Sequence, residues 1–303
     1  MKIVILDGYS INPGDLSWDS LEEFGQVQCY DRTPDQQTIS NIGDSDVIFV
    51  SKVKITEAVM EACPNLKFIG VTATGYDNID LDAAKKHNIT VSNVPAYSTD
   101  AVAQHTFALI LELTNSVGKY SESVHRGKWY ESPDFTFVEN PLINLTGKSL
   151  GIIGYGNIGK KVATIAKAFG MNVNIYSRDK AKTITSDILT LHCPATEENT
   201  GFINKDFIRG MKDGAILINT ARGALVNEYD LSEALKSGKL SAAAIDVISK
   251  EPPVYHNPLI GLKNCIITPH IAWTPRETRA DVIKICRDNL KAYLDGNPIN
   301  KII

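Results

Sequence analysis

The sequence predicts two α/β domains, each a doubly wound, Rossmann-like parallel sheet, with a cleft between them. The length of 303 residues is typical of two hydrophobic cores rather than one. Short apolar runs recur at intervals that suit alternating strands and helices, and they are continuous, as in strands covered on both faces. These runs form two series, at 3–6, 47–50 and 66–71, and then at 150–153, 173–176, 188–192, 215–219, 242–247 and 266–268.

The chain is predicted to enter the second domain once and to return. A long helical pattern follows Ser98-Thr99-Asp100 and runs to Val117, which is typical of a connecting helix. Thr274-Pro275-Arg276-Glu277 combines a Thr N-cap, Pro at the first helical position and Glu at the third, and so predicts a return helix. We expect an outer domain of residues 1–99 plus 273–303, flavodoxin-like, around an inner domain of residues 100–272.

Composition excludes several classes of partner and site. The net charge is −4, which provides no basic surface for nucleic acid or anionic lipid. The five cysteines are scattered and lack a C-x-x-C pair, so we expect neither disulfides nor a metal site. The N-terminal apolar run is too short for a signal peptide, and polar residues interrupt the stretch 101–117. A soluble, cytoplasmic protein that handles small molecules is expected.

Residues 126–145 hold Trp129, Tyr130, Phe135 and Phe137 without regular periodicity. One interpretation is a loop packed on its own domain. The other is an arm, at about 120–145, exchanged with a second subunit, because so many aromatic side chains need a surface to cover them.

A glycine-rich turn opens the second series of strands. Gly154-Tyr155-Gly156-Asn157-Ile158-Gly159 follows the strand at 150–153 and precedes an amphipathic helix and a second strand. In that context G-x-G-x-x-G predicts a dinucleotide site, in which free N–H groups at the start of the helix hold the pyrophosphate. We expect Gly154, Gly156, Asn157, Ile158 and Gly159 to contact the cofactor.

The end of that second strand bears on the choice between NAD and NADP. Tyr176-Ser177-Arg178 stands where NAD-binding sites place a carboxylate for the ribose hydroxyls. Ser177 does not repel a 2′-phosphate and Arg178 can bind one, so NADP is slightly favoured. Asp179 leaves NAD open, and a solvated surface charge is the alternative role for Arg178.

Charged residues follow three strands of the second series. His270 comes directly after the last strand, Arg222 follows the strand at 215–219, and Glu251 follows the strand at 242–247. Carboxyl ends of parallel strands share one edge of a sheet, so these three side chains can converge on one small volume. Beside a dinucleotide loop they fit a 2-oxo acid reductase, with His270 favoured among the six histidines as the proton donor.

Over nearly its whole length the chain resembles the D-isomer-specific 2-hydroxyacid dehydrogenases. The matching motifs are Gly154 to Gly159, Asn219-Thr220-Ala221-Arg222-Gly223, Asp246-Val247 with Glu251-Pro252-Pro253, and Thr268-Pro269-His270-Ile271. The resemblance implies that Arg222 holds the substrate carboxylate and carbonyl, that His270 is the general acid or base, and that Glu251 pairs with His270. It also implies that the outer domain binds substrate and that the arm makes a homodimer.

Further contacts are implied by the same resemblance. Backbone N–H groups of Thr74 and Gly75 would bind the substrate carboxylate, and Asp246 would orient the nicotinamide carboxamide. The other cofactor contacts implied are Thr106, Cys193, Pro194 and Thr220.

Within the family, Ser51-Lys52-Val53 and the run from Pro269 to Trp273 look like the glycerate dehydrogenase, or hydroxypyruvate reductase, group. Trp273 would narrow the pocket for a short side chain, or else simply pack beneath the return helix. The expected substrates are hydroxypyruvate and D-glycerate, or glyoxylate and glycolate.

D-lactate or a bulkier 2-hydroxy acid is the alternative substrate. A nucleotide-sensing corepressor is disfavoured because the set of Arg222, Glu251 and His270 is complete. Formate oxidation is disfavoured because that branch carries Gln in place of Glu251.

One departure from the family is internal. Seven residues separate Arg178 from Ser186, where the family usually has another strand and helix. Either this unit is lost or the sequence omits a disordered stretch. We favour the omission, since the loss would leave a sheet edge open and expose the neighbouring adenosine pocket.

Overall fold

The computed structural model describes residues 1–303 and contains eleven strands and ten α-helices. The strands are β1 (Lys2–Ile5), β2 (Gln26–Cys29), β3 (Val47–Val50), β4 (Phe68–Val71), β5 (Thr90–Ser92), β6 (Ser149–Ile153), β7 (Asn172–Ile175), β8 (Ile188–Leu191), β9 (Ala215–Asn219), β10 (Leu240–Ile245) and β11 (Cys265–Ile267). The helices are α1 (Thr38–Ile42), α2 (Glu57–Ala62), α3 (Leu81–Lys86), α4 (Thr99–Asn115), α5 (Val117–His125), α6 (Asn157–Ala168), α7 (Lys180–Ile184), α8 (Lys205–Gly210), α9 (Glu228–Ser237) and α10 (Arg276–Leu294). None of the helices combines the length and the hydropathy needed to cross a membrane.

Residues 1–98 and 273–303 form one compact unit around a parallel sheet in the order β2-β1-β3-β4-β5. This is the flavodoxin-like order. The middle strands β3 and β4 are buried along their whole length because apolar clusters cover both faces of the sheet. Helices α1 to α3 contribute to one cluster and α10 to the other. The doubly wound parallel sheet predicted for this part of the chain is confirmed.

Residues 99–272 form the second unit around a parallel sheet in the order β11-β10-β9-β8-β6-β7. Helices α4 and α6 pack on one face, and α8 and α9 pack on the other. The winding reverses between β6 and β8, and in such sheets the carboxyl ends of the strands on either side of that switch point form the ligand site. The predicted Rossmann-like sheet is confirmed.

Four local features differ from the sequence-based expectation. Strands β2 and β5 were not predicted, because β2 is an edge strand with exposed polar residues and β5 has only three residues. The connecting helix breaks at Ser116, whose φ of +50° separates α4 from α5. The return helix begins at Arg276, one residue later than predicted, because Pro275 has an extended ψ of 144° and itself takes the cap position.

The connection from β7 to β8 is short and well packed. Helix α7 fills it, with Thr183 fully buried and the Asn174 amide donating to the Ser186 hydroxyl at 3.0 Å. The Asp187 carboxylate then accepts from the Ser149 N–H at 2.8 Å and from the Lys212 ammonium at 2.6 Å. The sheet ends at β7, whose outer edge has no neighbouring strand. A single helical turn and one ionic cluster are therefore sufficient to close the crossover.

Asp187→Asn should destabilise the protein in a pH-dependent way. Burial favours the neutral acid, but the bonds from Lys212 and Ser149 outweigh it and lower the pKa of Asp187 from 3.8 to about 2. The carboxylate therefore stabilises the fold above about pH 4, and this contribution is lost as the pH falls toward 2. We expect the variant to lose about 1–2 kcal/mol at pH 7, and the difference from wild type in denaturant titrations to shrink as the pH falls from about 4 to 2. A constant difference across that range would contradict the assignment.

Candidate active site

A glycine-rich turn joins β6 to α6 at the carboxyl end of the second sheet. Gly154 has a φ of +95°, and a Cβ there would lie 2.4 Å from the backbone carbonyl carbon of His192. A Cβ at Gly159 would lie 2.1 Å from the Gly154 carbonyl oxygen, whereas one at Gly156 would meet no atom within 4 Å. No side chain caps the start of α6. This open, uncapped turn fits the pyrophosphate of a dinucleotide.

Cationic side chains gather after β7, beside that turn. Ser177 and Arg178 are both exposed, and the Arg178 guanidinium carbon lies 5.3 Å from the centroid of the Tyr155 ring in the glycine turn. The Lys180 ammonium lies 5.5 Å from the centroid of the Tyr176 ring. These aromatic faces hold two positive charges at the strand end where a ribose or its phosphate would bind.

Asp179, the residue that kept NAD as an alternative to NADP, has a structural role. It is the N-cap of α7, and its carboxylate accepts the Lys182 N–H at 3.0 Å. Its own N–H is bonded to the Ile175 carbonyl at 3.0 Å. One oxygen of this carboxylate is therefore engaged in capping the helix.

The structure brings His270 into contact with Glu251, the residue with which the sequence analysis pairs it. His270 Nδ1 lies 2.6 Å from Glu251 Oε2, and the side chains are 29% and 34% exposed, so the pair is reachable from solvent. The other Glu251 oxygen accepts the Ile248 N–H at 3.2 Å. His270 has a φ of +56°, and its N–H donates to the Asp246 carbonyl at 2.8 Å. With Nδ1 held by a carboxylate, Nε2 is the nitrogen left to exchange a proton with a ligand.

Asp246 anchors the segment that carries His270. Its buried carboxylate accepts the Thr268 hydroxyl at 2.5 Å and the N–H groups of Ile271 and Ala272 at 2.9 and 3.0 Å. Burial would raise the pKa of Asp246, but these bonds and one from His105 outweigh it and keep the pKa below its ordinary value. The carboxylate thus stays charged and fixes the turn around His270.

Arg222 follows β9 on a loop that Asn219 shapes. The Asn219 amide donates to the Arg222 carbonyl at 2.9 Å and accepts the Ala221 N–H at 3.0 Å. Arg222 itself is exposed, with one guanidinium N–H on the Ala221 carbonyl at 2.8 Å. The next residue, Gly223, approaches Ile248 so closely that a Cβ would lie 1.9 Å from its carbonyl carbon. The loops that carry Arg222 and Glu251 are therefore in backbone contact.

The four other cofactor residues implied by the resemblance differ in how far they are exposed to solvent. The Thr106 and Thr220 hydroxyls lie 3.1 Å apart, and both residues are buried. Cys193 is half-buried, which raises the pKa of its thiol, and Pro194 is exposed. Burial lowers the pKa of the neighbouring His192 to about 3, so this ring is neutral near pH 7 and cannot serve as the acid.

In the other unit, Asp7 organises the segment of Ser51 and Lys52. Its carboxylate, at the end of β1, accepts the N–H groups of Ser51 at 2.8 Å, Lys52 at 2.6 Å and Val53 at 3.4 Å. Burial outweighs these bonds and raises the pKa of Asp7. The Lys52 side chain is exposed, and Ser51 is buried.

Thr74, Gly75 and Trp273 also belong to this unit. The Thr74 hydroxyl donates to the Val94 carbonyl at 2.9 Å, so its side chain is engaged within the loop, and Gly75 is half-buried. Trp273 packs edge-on against Tyr97, with ring centroids 6.3 Å apart, and against the apolar cluster beneath α10. This packing agrees with the structural alternative for Trp273.

Three polar residues of these networks were not singled out as functional from the sequence. They are Asp7, Thr268 and His105, whose Nε2 lies 3.1 Å from Thr268 Oγ1 and 3.4 Å from Asp246 Oδ1. Asp7 and Thr268 end their strands, which is the signal that could have revealed them. His105 lies within α4, where sequence spacing gives no indication of a partner more than a hundred residues away.

Comparison with known proteins identifies the family. Residues 107–272 match the family profile described as D-isomer specific 2-hydroxyacid dehydrogenase, NAD binding domain. A hydroxypyruvate reductase of Blautia hydrogenotrophica is 46% identical over all of this chain and 99% of its own length. That alignment spans 320 positions against 303 residues here, so the relative has residues that this chain lacks. A glycerate dehydrogenase of Methylorubrum extorquens is 35% identical over 99% of this chain and 98% of its own.

Solved structures agree over the full length. The TT0316 protein of Thermus thermophilus superposes with a TM-score of 0.89 at 30% identity and complete coverage of both chains. The NADPH-dependent glyoxylate/hydroxypyruvate reductase of Sinorhizobium meliloti, solved with NADP and malonate, gives 0.83 at 26% identity, covering 99% of this chain and 96% of its own. With a matching profile over more than half of its residues and relatives that align from end to end, this chain belongs to the D-isomer specific 2-hydroxyacid dehydrogenase family.

Proposed function

We propose that this enzyme reduces short 2-oxo acids, hydroxypyruvate or glyoxylate, and reversibly oxidises the corresponding 2-hydroxy acids. The observation that carries the proposal is the 2.6 Å contact between His270 and Glu251 at the strand ends that follow a dinucleotide turn. When bound, the reduced nicotinamide supplies the hydride for the carbonyl carbon. The substrate assignment draws support from the relatives described above, which act on hydroxypyruvate, glycerate or glyoxylate by name.

We assign the proton transfer to His270. In the direction of reduction, Nε2 of the imidazolium donates to the carbonyl oxygen as negative charge develops there. Glu251 fixes the orientation of the ring by its contact at Nδ1. In the oxidative direction the neutral ring accepts the hydroxyl proton.

Arg222 is assigned the substrate carboxylate and carbonyl, because a planar guanidinium binds two oxygens at once. We assign the N–H groups of Thr74 and Gly75 to the substrate carboxylate, and Ser51, Lys52 and Trp273 to substrate binding. Asp246, Thr106, Cys193, Pro194 and Thr220 are assigned to the cofactor side.

The test is the initial rate of reduced-cofactor oxidation with hydroxypyruvate, glyoxylate and pyruvate, each with NADPH and with NADH. Fast turnover of hydroxypyruvate or glyoxylate and slow turnover of pyruvate is the expected result. Preference for pyruvate would favour a D-lactate dehydrogenase. Binding of cofactor without turnover of any 2-oxo acid would favour a nucleotide sensor.

A preference for NADP is part of the proposal. Its support is the pair of cations after β7 and the use of the Asp179 carboxylate as a helix cap. Arg178→Ala should lower the ratio of kcat/KM for NADPH to that for NADH about tenfold or more, because the 2′-phosphate loses a charged partner. Arg209→Ala, which removes an exposed arginine of α8, is the matched control. An unchanged ratio would exclude Arg178 as the phosphate ligand.

We further propose a homodimer joined by the arm at about 120–145, in a cytoplasmic protein. The arm has exposed aromatic side chains, with Trp129 51%, Tyr130 95% and Phe135 90% accessible, as expected of a surface that a second subunit covers. The cytoplasmic assignment rests on five free cysteines. Light scattering should give about twice the mass of the chain, and Tyr130→Asp with Phe135→Asp should shift it to the monomer.

A further inference from the structure

Glu228 connects both ends of the segment that contains Glu251. It is the first residue of α9, and its carboxylate accepts the Ser249 N–H at 2.7 Å and the Asn257 side-chain amide at 2.8 Å. We name residues 249–257 the Glu251 loop. One carboxylate, placed at a helix N-terminus where negative charge is stabilised, thus bonds to the first and the last residue of this loop.

The Glu251 loop has few other means of staying in place. It has no regular secondary structure, and its Val254 and Tyr255 side chains are 48% and 91% exposed. Fixing such a segment costs about 1–2 kcal/mol of backbone entropy for each residue, which apolar burial does not offset here. Asn257 is the buried end, and its Oδ1 accepts the Leu259 N–H at 3.0 Å, so its amide NH₂ is directed to Glu228.

The same contact ties the Glu251 loop to the segment of Arg222. Glu228 follows Arg222 by six residues, and Gly223 between them touches the Ile248 carbonyl and the Ser249 nitrogen. Ile248 in turn donates its N–H to the Glu251 carboxylate. A continuous path of contacts therefore runs from Glu228 through the loop base to the Glu251 side chain.

We propose that Glu228 is a positioning residue that holds the Glu251 loop at both ends and so keeps Glu251 Oε2 against His270 Nδ1. This inference rests on the proposed function, in which His270 transfers the proton and Glu251 supports it. Glu228 itself touches neither of these side chains in the contacts described, and its effect on the reaction passes through Glu251.

The test is a double-mutant cycle measured with hydroxypyruvate and NADPH. Glu228→Ala should lower kcat about tenfold, with the KM for NADPH within about twofold, because Glu251 no longer keeps its place. In a Glu251→Gln background the same change should cost less than about twofold, since the group it positions is already lost. Glu233→Gln, exposed on the same helix, is the control that should leave kcat unchanged.

A swap tests the contact without removing it. In Glu228→Gln the side-chain NH₂ faces the Asn257 NH₂, so one bond is lost and kcat should fall about threefold. Combining it with Asn257→Asp supplies an acceptor to both the glutamine NH₂ and the Leu259 N–H, and should restore kcat to within about twofold of wild type. Glu228→Gln, alone and combined with Asn257→Asp, still tests the proposal if Glu228→Ala does not fold. Melting temperatures measured on every variant separate a loss of folded protein from a loss of rate.

The outcomes distinguish the two proposals. If Glu251→Gln alone leaves kcat unchanged, the supporting role of Glu251 fails and the positioning role fails with it, whereas His270→Gln tests the proton donor itself. If Glu251→Gln lowers kcat but Glu228→Ala does not, only the positioning role is overturned. Equal losses from Glu228→Ala in both backgrounds, or no rescue by the swap, also overturn it, because a general effect on structure would act independently of Glu251.

Discussion

With His270 replaced by glutamine, we expect kcat for hydroxypyruvate reduction to fall about a thousandfold while the KM for reduced cofactor stays within about twofold. Glutamine is close to histidine in size and can still reach Glu251, but it carries no proton that it can release near neutral pH. The glycine turn proposed to bind the cofactor lies on a different loop and is not altered. The loss should therefore appear in the chemical step.

Steady-state kinetics with a pH series are the measurement. Glu233→Gln, exposed on α9, is the control and should match wild type. The kcat of Glu251→Gln should fall between these two, about ten- to a hundredfold below wild type, because the His270 ring has lost the carboxylate that fixes its orientation. A His270→Gln enzyme with an undiminished rate would show that another group donates the proton.

Much of this fold could be predicted from runs of apolar residues. Strands β3, β4 and β9 are buried on both faces, so each is continuous in hydrophobicity and stands out in the sequence. Strand β2 lies at a sheet edge, and Gln26 and Gln28 are exposed, so nothing in its composition separates it from a loop. A run of apolar residues indicates a strand that is buried on both faces, and an edge strand has few buried residues.

The residues of the candidate site also divide into those that the sequence could reveal and those that it could not. Arg222, Glu251 and His270 were singled out as candidates because residues at the ends of parallel strands share one edge of the sheet. His105 and Glu228 were not, since each lies in a helix and meets its partners through the packing of that helix on distant loops. The sequence shows directly which residues follow a strand, whereas contacts between a helix and a distant loop depend on how the helix packs in the tertiary structure.

The second large effect concerns two glycines of the cofactor turn, three residues apart. Gly159→Ala should lower the free energy of unfolding by about 3 kcal/mol or more, because its Cβ would lie 2.1 Å from the Gly154 carbonyl oxygen and only backbone could move. Gly156→Ala should change it by less than about 0.5 kcal/mol, since its Cβ meets no atom within 4 Å. Denaturant titration of both variants tests the contrast.

The two substitutions should separate in cofactor binding as well. The space at Gly156 is open in the protein, and we propose that the pyrophosphate approaches the backbone there, so a methyl group should raise the KM for reduced cofactor at least about tenfold in a fully folded enzyme. Loss of affinity with an unchanged unfolding midpoint is a result that packing alone cannot produce. If Gly156→Ala bound cofactor normally, the open space beside this glycine would not be the cofactor's path. The dinucleotide would then have to be held by another part of the turn.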